Sequence, residues 1–206
     1  MSSSLLSMAL RDNQLTLSTA EQQQLLDYLA LIQQWNRVYN LTAIIDPQEM
    51  VYLHLIDSLI IAKHLIGNRF LDVGSGAGLP GIPLAILNPQ QEWVLLDKNS
   101  KKTRFLTQVV AELKLKNVTV IHARVEDLTS VLPFDGILSR ALGTIKLFVE
   151  STEHLLAEQG IWFAMKGKYP EEELLELPSG FKVKERLALT LKGKVVERHL
   201  ICIEKH

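Results

Sequence analysis

The stretch Phe70-Leu-Asp-Val-Gly-Ser-Gly-Ala-Gly-Leu-Pro-Gly-Ile-Pro83 leaves this chain few choices of fold. Phe70, Leu71 and Val73 form a short apolar run suited to a buried strand, and Gly74, Gly76 and Gly78 follow at once. Glycines let a backbone turn tightly and approach a ligand with no Cβ in the way. Pro80 and Pro83 fit a helix only in its first turn, where backbone N–H groups have no partner to lose. A strand feeding a helix through glycines is a platform for a nucleotide cofactor, because the free N–H groups face the ligand.

Two glycine patterns overlap here. Gly76-Ala-Gly78-Leu-Pro-Gly81 fits the dinucleotide fingerprint, with Asp97 about 20 residues further on. Asp72-Val-Gly74-Ser-Gly76-Ala-Gly78 fits the first motif of S-adenosylmethionine (SAM) methyltransferases. Asp72 favours the second. A carboxylate at the strand end would repel a pyrophosphate but would pair with the ammonium of the SAM methionine moiety. Replacing Asp72 with alanine is then expected to abolish SAM binding and leave the fold intact.

At 206 residues the chain is long enough for one large domain with a proper core and a small appendage. Its net charge of −1 confines any nucleic-acid surface to a local patch. The single Cys202 excludes an internal disulfide framework and a cysteine-rich zinc site. No segment reads as a signal peptide or approaches the ~18 apolar residues of a membrane span, so a cytoplasmic location is expected.

Residues 1–67 read as an N-terminal helical cap and 68–206 as the SAM-binding domain, integrated into one globular unit. Residues 1–17 form a loose or short-helical lead-in. Ser18-Thr-Ala-Glu21 is a capping box, and Leu25, Leu29, Ile32 and Trp35 follow at helical spacing, which predicts a helix to about Tyr39. Asp46 as N-cap with Pro47 behind it opens a second helix that runs to a stop near Gly67. From Arg69 strands and helices alternate, which predicts a parallel sheet covered on both faces. Strands are expected over Glu92–Leu96, Asn117–His122, Phe134–Ser139 and Gly160–Met165. Helices are expected over Ser100–Lys114, Ile145–Leu156 and Glu171–Glu176. Phe181–Leu189 and Val195–Ile203 flank Lys192-Gly193-Lys194 and suggest an antiparallel hairpin closing the sheet. The whole is an α/β, Rossmann-like, seven-stranded SAM-dependent methyltransferase fold with an N-terminal helical extension.

Asp97 ends the second strand, where an acid can accept hydrogen bonds from ribose hydroxyls, although a turn or helix-capping acid would look the same. Glu126 follows the third strand, where a methyltransferase places its adenine; taken alone it is a solvated loop acid. Ser139-Arg140-Ala141 ends the fourth strand and faces the reacting groups. It lacks the Asn/Asp-Pro-Pro-aromatic tetrad of amino-group methylation, and Cys202 is misplaced for a pyrimidine-C5 nucleophile. Guanine N7, nucleophilic and unprotonated, needs only positioning and charge, so no general base is assigned.

Lys98, Lys101, Lys102, Arg104, Arg124, Arg140, Lys166 and Lys168 form one basic group, and Lys182, Lys184, Lys192, Lys194 and Arg198 a second in the hairpin. The first lies toward strand ends, where it suits RNA phosphates; both groups also suit a merely solvated surface. His54 and Asp57 are helical neighbours that could pair near the cofactor edge or simply stabilise their helix. With no third ligand indicated, no metal is expected. Glu171, Glu172, Glu173 and Glu176 read as helix N-terminal acids, and Trp35, Tyr28 and Tyr39 as core.

Together these residues resemble the bacterial glucose-inhibited division protein B family, the small-subunit ribosomal RNA guanine-N7 methyltransferases. The resemblance rests on Trp35-Asn-Arg-Val-Tyr-Asn-Leu-Thr42, His54-Leu-Ile-Asp-Ser58, the glycine block with its Leu-Pro-Gly-Ile-Pro tail, Leu95-Leu-Asp97, Lys101 to Leu106, Arg124-Val-Glu126, Ser139-Arg-Ala141 and Lys166-Gly167. It covers nearly the whole chain. Ser75-Gly-Ala departs from the frequent Thr-Gly-Pro and leaves the glycines in place. The resemblance implies SAM contacts at Gly74, Leu79, Val125, Glu126 and Arg140, with Asp72, Gly76, Gly78 and Asp97 completing the cofactor motif. It implies direct methyl transfer to N7 of one guanine in 16S ribosomal RNA, free or in the 30S subunit, with Arg124, Arg140 and Lys166 positioning phosphates or the base and His54 and Asp57 nearby. No obligate protein partner is evident, and the reading is compatible with a monomer. Two alternatives stand beside it: a SAM-binding ribosome-assembly factor without catalysis, and an NAD-dependent oxidoreductase.

Overall fold

A computed structural model of the protein describes every residue except Met1, Ser2, Val131 and Ala141. The first two residues of the lead-in and the third of the Ser139-Arg-Ala141 motif therefore lie outside the described residues. Seven strands form one sheet: β1 (Arg69–Val73), β2 (Glu92–Asp97), β3 (Val118–His122), β4 (Phe134–Ser139), β5 (Leu156–Lys166), β6 (Phe181–Ala188) and β7 (His199–Lys205). Their order is β3-β2-β1-β4-β5-β7-β6. The first five pair in parallel, and β7 lies antiparallel between β5 and β6.

The period of two along each strand divides the core into two layers. Phe70, Trp93, Leu95, Leu200 and Cys202 face one side, and Leu71, Val73, Val94, Leu96, Ile201 and Ile203 the other. The first layer is covered by α1 (Ser3–Asp12), α2 (Thr19–Tyr39), α5 (Gly81–Leu87) and α6 (Ser100–Glu112), the second by α7 (Ile145–Thr152). Leu6, Leu25, Leu29 and Ile32 of the N-terminal helices share one continuous apolar cluster with Phe70, Trp93 and Phe105. The lead-in is thus a packed helix from Ser3 onward. The capping box of α2 forms in both directions, Ser18 N–H donating to Glu21 Oε2 at 2.6 Å and Glu21 N–H to Ser18 Oγ at 3.3 Å.

Several boundaries move for local reasons. Strand β5 begins at Leu156 rather than Gly160, because the chain extends directly from the 3-10 turn at Glu153–Leu155 that ends α7. The expected hairpin forms, with β6 and β7 antiparallel, but its connection is long, residues 189–198. Beyond the Leu189 N–H to Arg198 carbonyl bond at 2.7 Å and a turn closed by Lys194 N–H on the Leu191 carbonyl at 3.1 Å, its groups bond to the cap. Lys192 N–H donates to Asn13 Oδ1 at 2.9 Å, Lys194 pairs with Glu49, and Leu191 is buried.

The helix expected from Asp46 to Gly67 is broken into α3 (Pro47–Met50), a π-helical segment Val51–Ile56, α4 (Asp57–Leu59) and a 3-10 turn at Ala62–His64. Asp57 N–H reaches back five residues to the Tyr52 carbonyl. A π turn advances less per residue than an α turn, so residues three apart are no longer stacked. His54 Nε2 accordingly lies 3.1 Å from Thr42 Oγ1, while Asp57 meets Arg198. The expected His54–Asp57 pair is replaced by these two separate contacts.

By strand alternation Asp72 faces the same side as Phe70, beneath α5. It is fully buried, and its Oδ2 accepts the Gly81 N–H at 3.0 Å, while Oδ1 has no partner among the described residues. Burial pushes its pKa up to about 7 and pushes that of His54, with help from Arg140, down to about 4. From 3.8 to about 7 native Asp72 holds a proton the unfolded chain has lost, so it makes stability fall with rising pH. From about 4 to 6.5 the unfolded chain binds a proton that native His54 refuses, so His54 makes stability rise. The two nearly cancel. Asp72→Asn, which keeps an oxygen for Gly81 and never ionises, should gain stability on wild type by ~1.4 kcal/mol per pH unit across the Asp72 window. Urea unfolding across that window measures the difference, and a pH-independent gap would return Asp72 to ordinary acidity.

Candidate active site

Strand order reverses between β1 and β4, and open α/β sheets hold ligands outside the strand C-termini at such a switch point. There the protein has a cleft of about 380 Å3, lined by Gly74 after β1, Asp97 and Lys102 at β2 and α6, Arg124, Val125 and Glu126 after β3, and Leu142 after β4.

Backbone hydrogen bonds fix the floor of this cleft. Gly74 and Ser75 N–H groups donate to the Leu96 carbonyl at 2.8 and 3.1 Å, and Ser75 Oγ donates to the Asp72 carbonyl at 2.8 Å. Gly74 and Gly76 have φ of +70° and +61°, which L-residues rarely adopt. A Cβ on Gly76 would meet nothing closer than 3.8 Å, so this glycine borders open space. Asp97 is 5% exposed and bridges two loops, its Oδ2 accepting the Gly76 N–H at 2.9 Å and its Oδ1 the Asn99 N–H at 2.8 Å. Each carboxylate oxygen retains a lone pair for a further donor. Glu126 and Arg124 are exposed, and their side chains have no hydrogen-bond or ion-pair partner among the described residues.

Of the other expected cofactor residues, Arg140 lines a second pocket rather than this cleft, and Asp72, Gly78 and Leu79 sit behind it. Asp72 points beneath α5. Gly78 is enclosed, since a Cβ there would lie 2.6 Å from Ile82 and 2.9 Å from Leu106. Leu79 is 3% exposed. These three shape the turn from within the core. Tyr28 adds a brace that helical periodicity alone did not suggest, its buried hydroxyl donating to the Ala77 carbonyl at 2.5 Å. Trp35 packs edge-on to Phe105 and stacks on Tyr39, as core residues do.

A second pocket of about 280 Å3 opens beyond β4 and β5, with Arg140, Asp57, Arg198, Lys166 and His199 among apolar Ile44, Leu53, Met165 and Leu189. Asp57 has a side chain only 4% exposed and takes Arg198 Nε at 2.6 Å on one oxygen, with Arg140 Nη1 3.7 Å from the other. Burial raises its pKa while Arg198 and then Arg140 pull it back. Arg140 also donates to the Leu53 carbonyl in the π segment at 3.3 Å. Lys166 is held by Glu173 at 2.7 Å and by the Gly143 carbonyl at 3.0 Å. Glu173 is therefore more than a helix N-terminal acid, since it also accepts the Ile145 N–H at 2.7 Å and so joins α8 (Glu171–Leu175) to the start of α7. The place of Arg198 in this pocket carries no local sequence signal, because its partner lies 141 residues away.

Known proteins with these features are found by sequence and by shape. The profile of the GidB family, rRNA small subunit methyltransferase G, matches residues 21–201. The chain is 51% identical over 190 residues to the ribosomal RNA small subunit methyltransferase G of Pseudomonas paraeruginosa, covering 92% of this chain and 89% of that protein. It is 45% identical over 201 residues to the same-named protein of Erwinia tasmaniensis, covering 98% of each. In shape it is similar to the glycopeptide N-methyltransferase MtfA complexed with SAM, at TM-score 0.64 and 12% identity over 73% of this chain and 93% of that one. A SAM-dependent methyltransferase from Aquifex aeolicus matches at TM-score 0.57 and 18% identity, over 77% and 93% respectively. The switch-point cleft and the antiparallel β7 are thus those of the methyltransferase fold, and the chain belongs to the rRNA small subunit methyltransferase G family.

Proposed function

We propose that the protein transfers the methyl group of SAM to N7 of one guanine in 16S ribosomal RNA. The observation that carries this reading is the adjacency of two sites, a glycine-floored cleft lined by Leu142 and a cationic base-sized pocket lined by Arg140, two residues apart in the chain and sharing the small hollow that separates the sites. The cleft residues suit the cofactor. Gly76 leaves room for close approach, Asp97 retains acceptor capacity for ribose hydroxyls, and Glu126 is a free carboxylate beside the Val125 backbone, fit for an exocyclic amine. SAM supplies a methyl group activated by its sulfonium.

The second pocket suits a flipped base, which must leave its stack to be reached. Ile44, Leu53, Met165 and Leu189 offer apolar faces, and Arg140 and Arg198 offer N–H donors for guanine O6 or a phosphate while N7 stays free. Guanine N7 attacks with a lone pair and loses no proton, so Asp57 serves by holding the two arginines rather than as a base. Its buried charge needs both partners to offset desolvation.

The test is methyl transfer from labelled SAM to small ribosomal subunits lacking the modification, followed by mapping of the labelled nucleotide. A single methylated guanine N7 is expected. SAM binding without transfer would turn the reading toward a non-catalytic assembly factor, and loss of both would reject it.

Two variants in the lining of the cleft distinguish cofactor contacts from RNA contacts. Glu126→Ala should weaken SAM binding about tenfold, the size of one lost charge-assisted hydrogen bond, with an unchanged melting temperature because Glu126 holds nothing in the fold. Calorimetric titration with SAM reads this directly. Arg124→Ala should weaken RNA binding and reduce the slope of log K against log salt by about one, as for a single phosphate contact. A slope equal to wild type would remove Arg124 from the RNA surface.

A further inference from the structure

We propose that the groove at the C-terminal end of α2 is a second RNA subsite, holding a single-stranded nucleotide next to the target guanine; this rests on the reading of the Arg140–Arg198 pocket as the guanine site. The groove has a volume of about 470 Å3, within the roughly 300–1,000 Å3 of ligand clefts. Its floor is Ile32 and Met50, both fully buried. One wall is the α2 face carrying Gln33 and Arg37, four residues apart and so on one side of the helix, with Asn40 at its left-handed C-cap beyond them. The other is the loop through Thr42, Ile44 and Ile45.

Rigidity and free chemistry are divided between different side chains. Asn36 is spent on the frame, its Nδ2 donating to the Thr42 carbonyl and its Oδ1 accepting the Thr42 N–H, both at 2.9 Å. Thr42 Oγ1 accepts the Ile44 N–H at 3.1 Å and meets His54 from below. The side chains of Gln33, Arg37 and Asn40, in contrast, have no hydrogen-bond or ion-pair partner among the described residues. They line a braced groove with two amides and a guanidinium available.

That inventory fits RNA. Amides donate and accept at base edges, and a guanidinium pairs with phosphate or stacks on a base. Ile45, 71% exposed at the rim, offers an apolar face for stacking. The sequence holds no carboxylate between Asp27 and Asp46. Asp46 is occupied by capping α3, and Glu49 by Lys194. Continuity decides where the groove leads. Ile44 lines both it and the Arg140–Arg198 pocket, so a strand with its guanine in the pocket would run its neighbour into the groove.

Two measurements test this with the full-length protein and unmethylated small subunits. The double variant Gln33→Ala with Arg37→Ala should raise KM for subunits about tenfold or more, leaving kcat, SAM affinity and melting temperature at wild-type values. A photo-crosslinking residue in place of Ile45 should attach to ribosomal RNA within a few nucleotides of the methylated guanine. An unchanged KM overturns the subsite, as does a crosslink to a ribosomal protein, which would make the groove a protein contact. If wild type transfers no methyl to RNA, the guanine reading fails instead, and the crosslink still decides whether RNA occupies the groove.

Discussion

The arrangement of the cleft depends on one buried hydrogen bond, from the first N–H of α5 to the carboxyl of Asp72 at the centre of the sheet. Helix N-termini leave N–H groups unpaired, and the Asp72 carboxyl satisfies the Gly81 N–H while fully enclosed. With α5 fixed against β1, the chain between them must leave the sheet, turn and return within a few residues. Gly74 and Gly76 supply the left-handed backbone this requires, and Gly78 and Gly81 supply the absence of a Cβ where Ile82 and Leu95 press in. The cost is a carboxyl whose second oxygen is unpaired and which ionises only near neutrality.

The N-terminal helices are part of this machinery rather than a covering. Tyr28 braces the glycine turn through the Ala77 carbonyl, and the π segment turns Asp57 and the Leu53 carbonyl toward Arg140. π turns are rare and concentrate at functional sites. Here the extra residue lets one short helix hold two arginines from β4 and from the connection before β7. The same connection is anchored to α1 through Asn13 and to α3 through Glu49. A shift of the cap would therefore be felt at both the glycine turn and the Arg140–Arg198 pocket.

What the sequence makes legible follows the range of the interaction involved. The capping box at Ser18, the N-cap at Asp46, the parallel strands and the family itself are written in neighbouring residues and were all readable. The role of Asp72 was only half readable: the motif marks the carboxylate as special, but strand alternation turns it under α5 instead of into the cleft. His54 and Asp57 were paired by α-helical spacing, which the π segment abolishes. In sequence Arg198 looks like a surface hairpin charge and Glu173 like a helix-end acid, because they reach their partners, Asp57 and Lys166, only through the antiparallel insertion of β7 and the return of α8. No local pattern encodes those meetings.

Pairing also sets how far the basic edge attracts RNA. Counting lysines and arginines overstates the charge, because Lys166 is neutralised by Glu173, Lys194 by Glu49, and Arg140 and Arg198 share Asp57. What remains around the proposed RNA path is one net positive charge at the guanidinium pair, with Arg37 on one side and Arg124, Lys98 and Lys102 on the other, none of these four in an ion pair among the described residues. At physiological ionic strength their field fades over about 8 Å, so it acts close to the cleft. On the proposed reading, selectivity rests on shape as well as charge: a pocket and a groove joined at Ile44, with Arg140 and Arg198 held in place by Asp57. A protein of net charge −1 can in this way select one guanine in a large RNA without binding RNA at large.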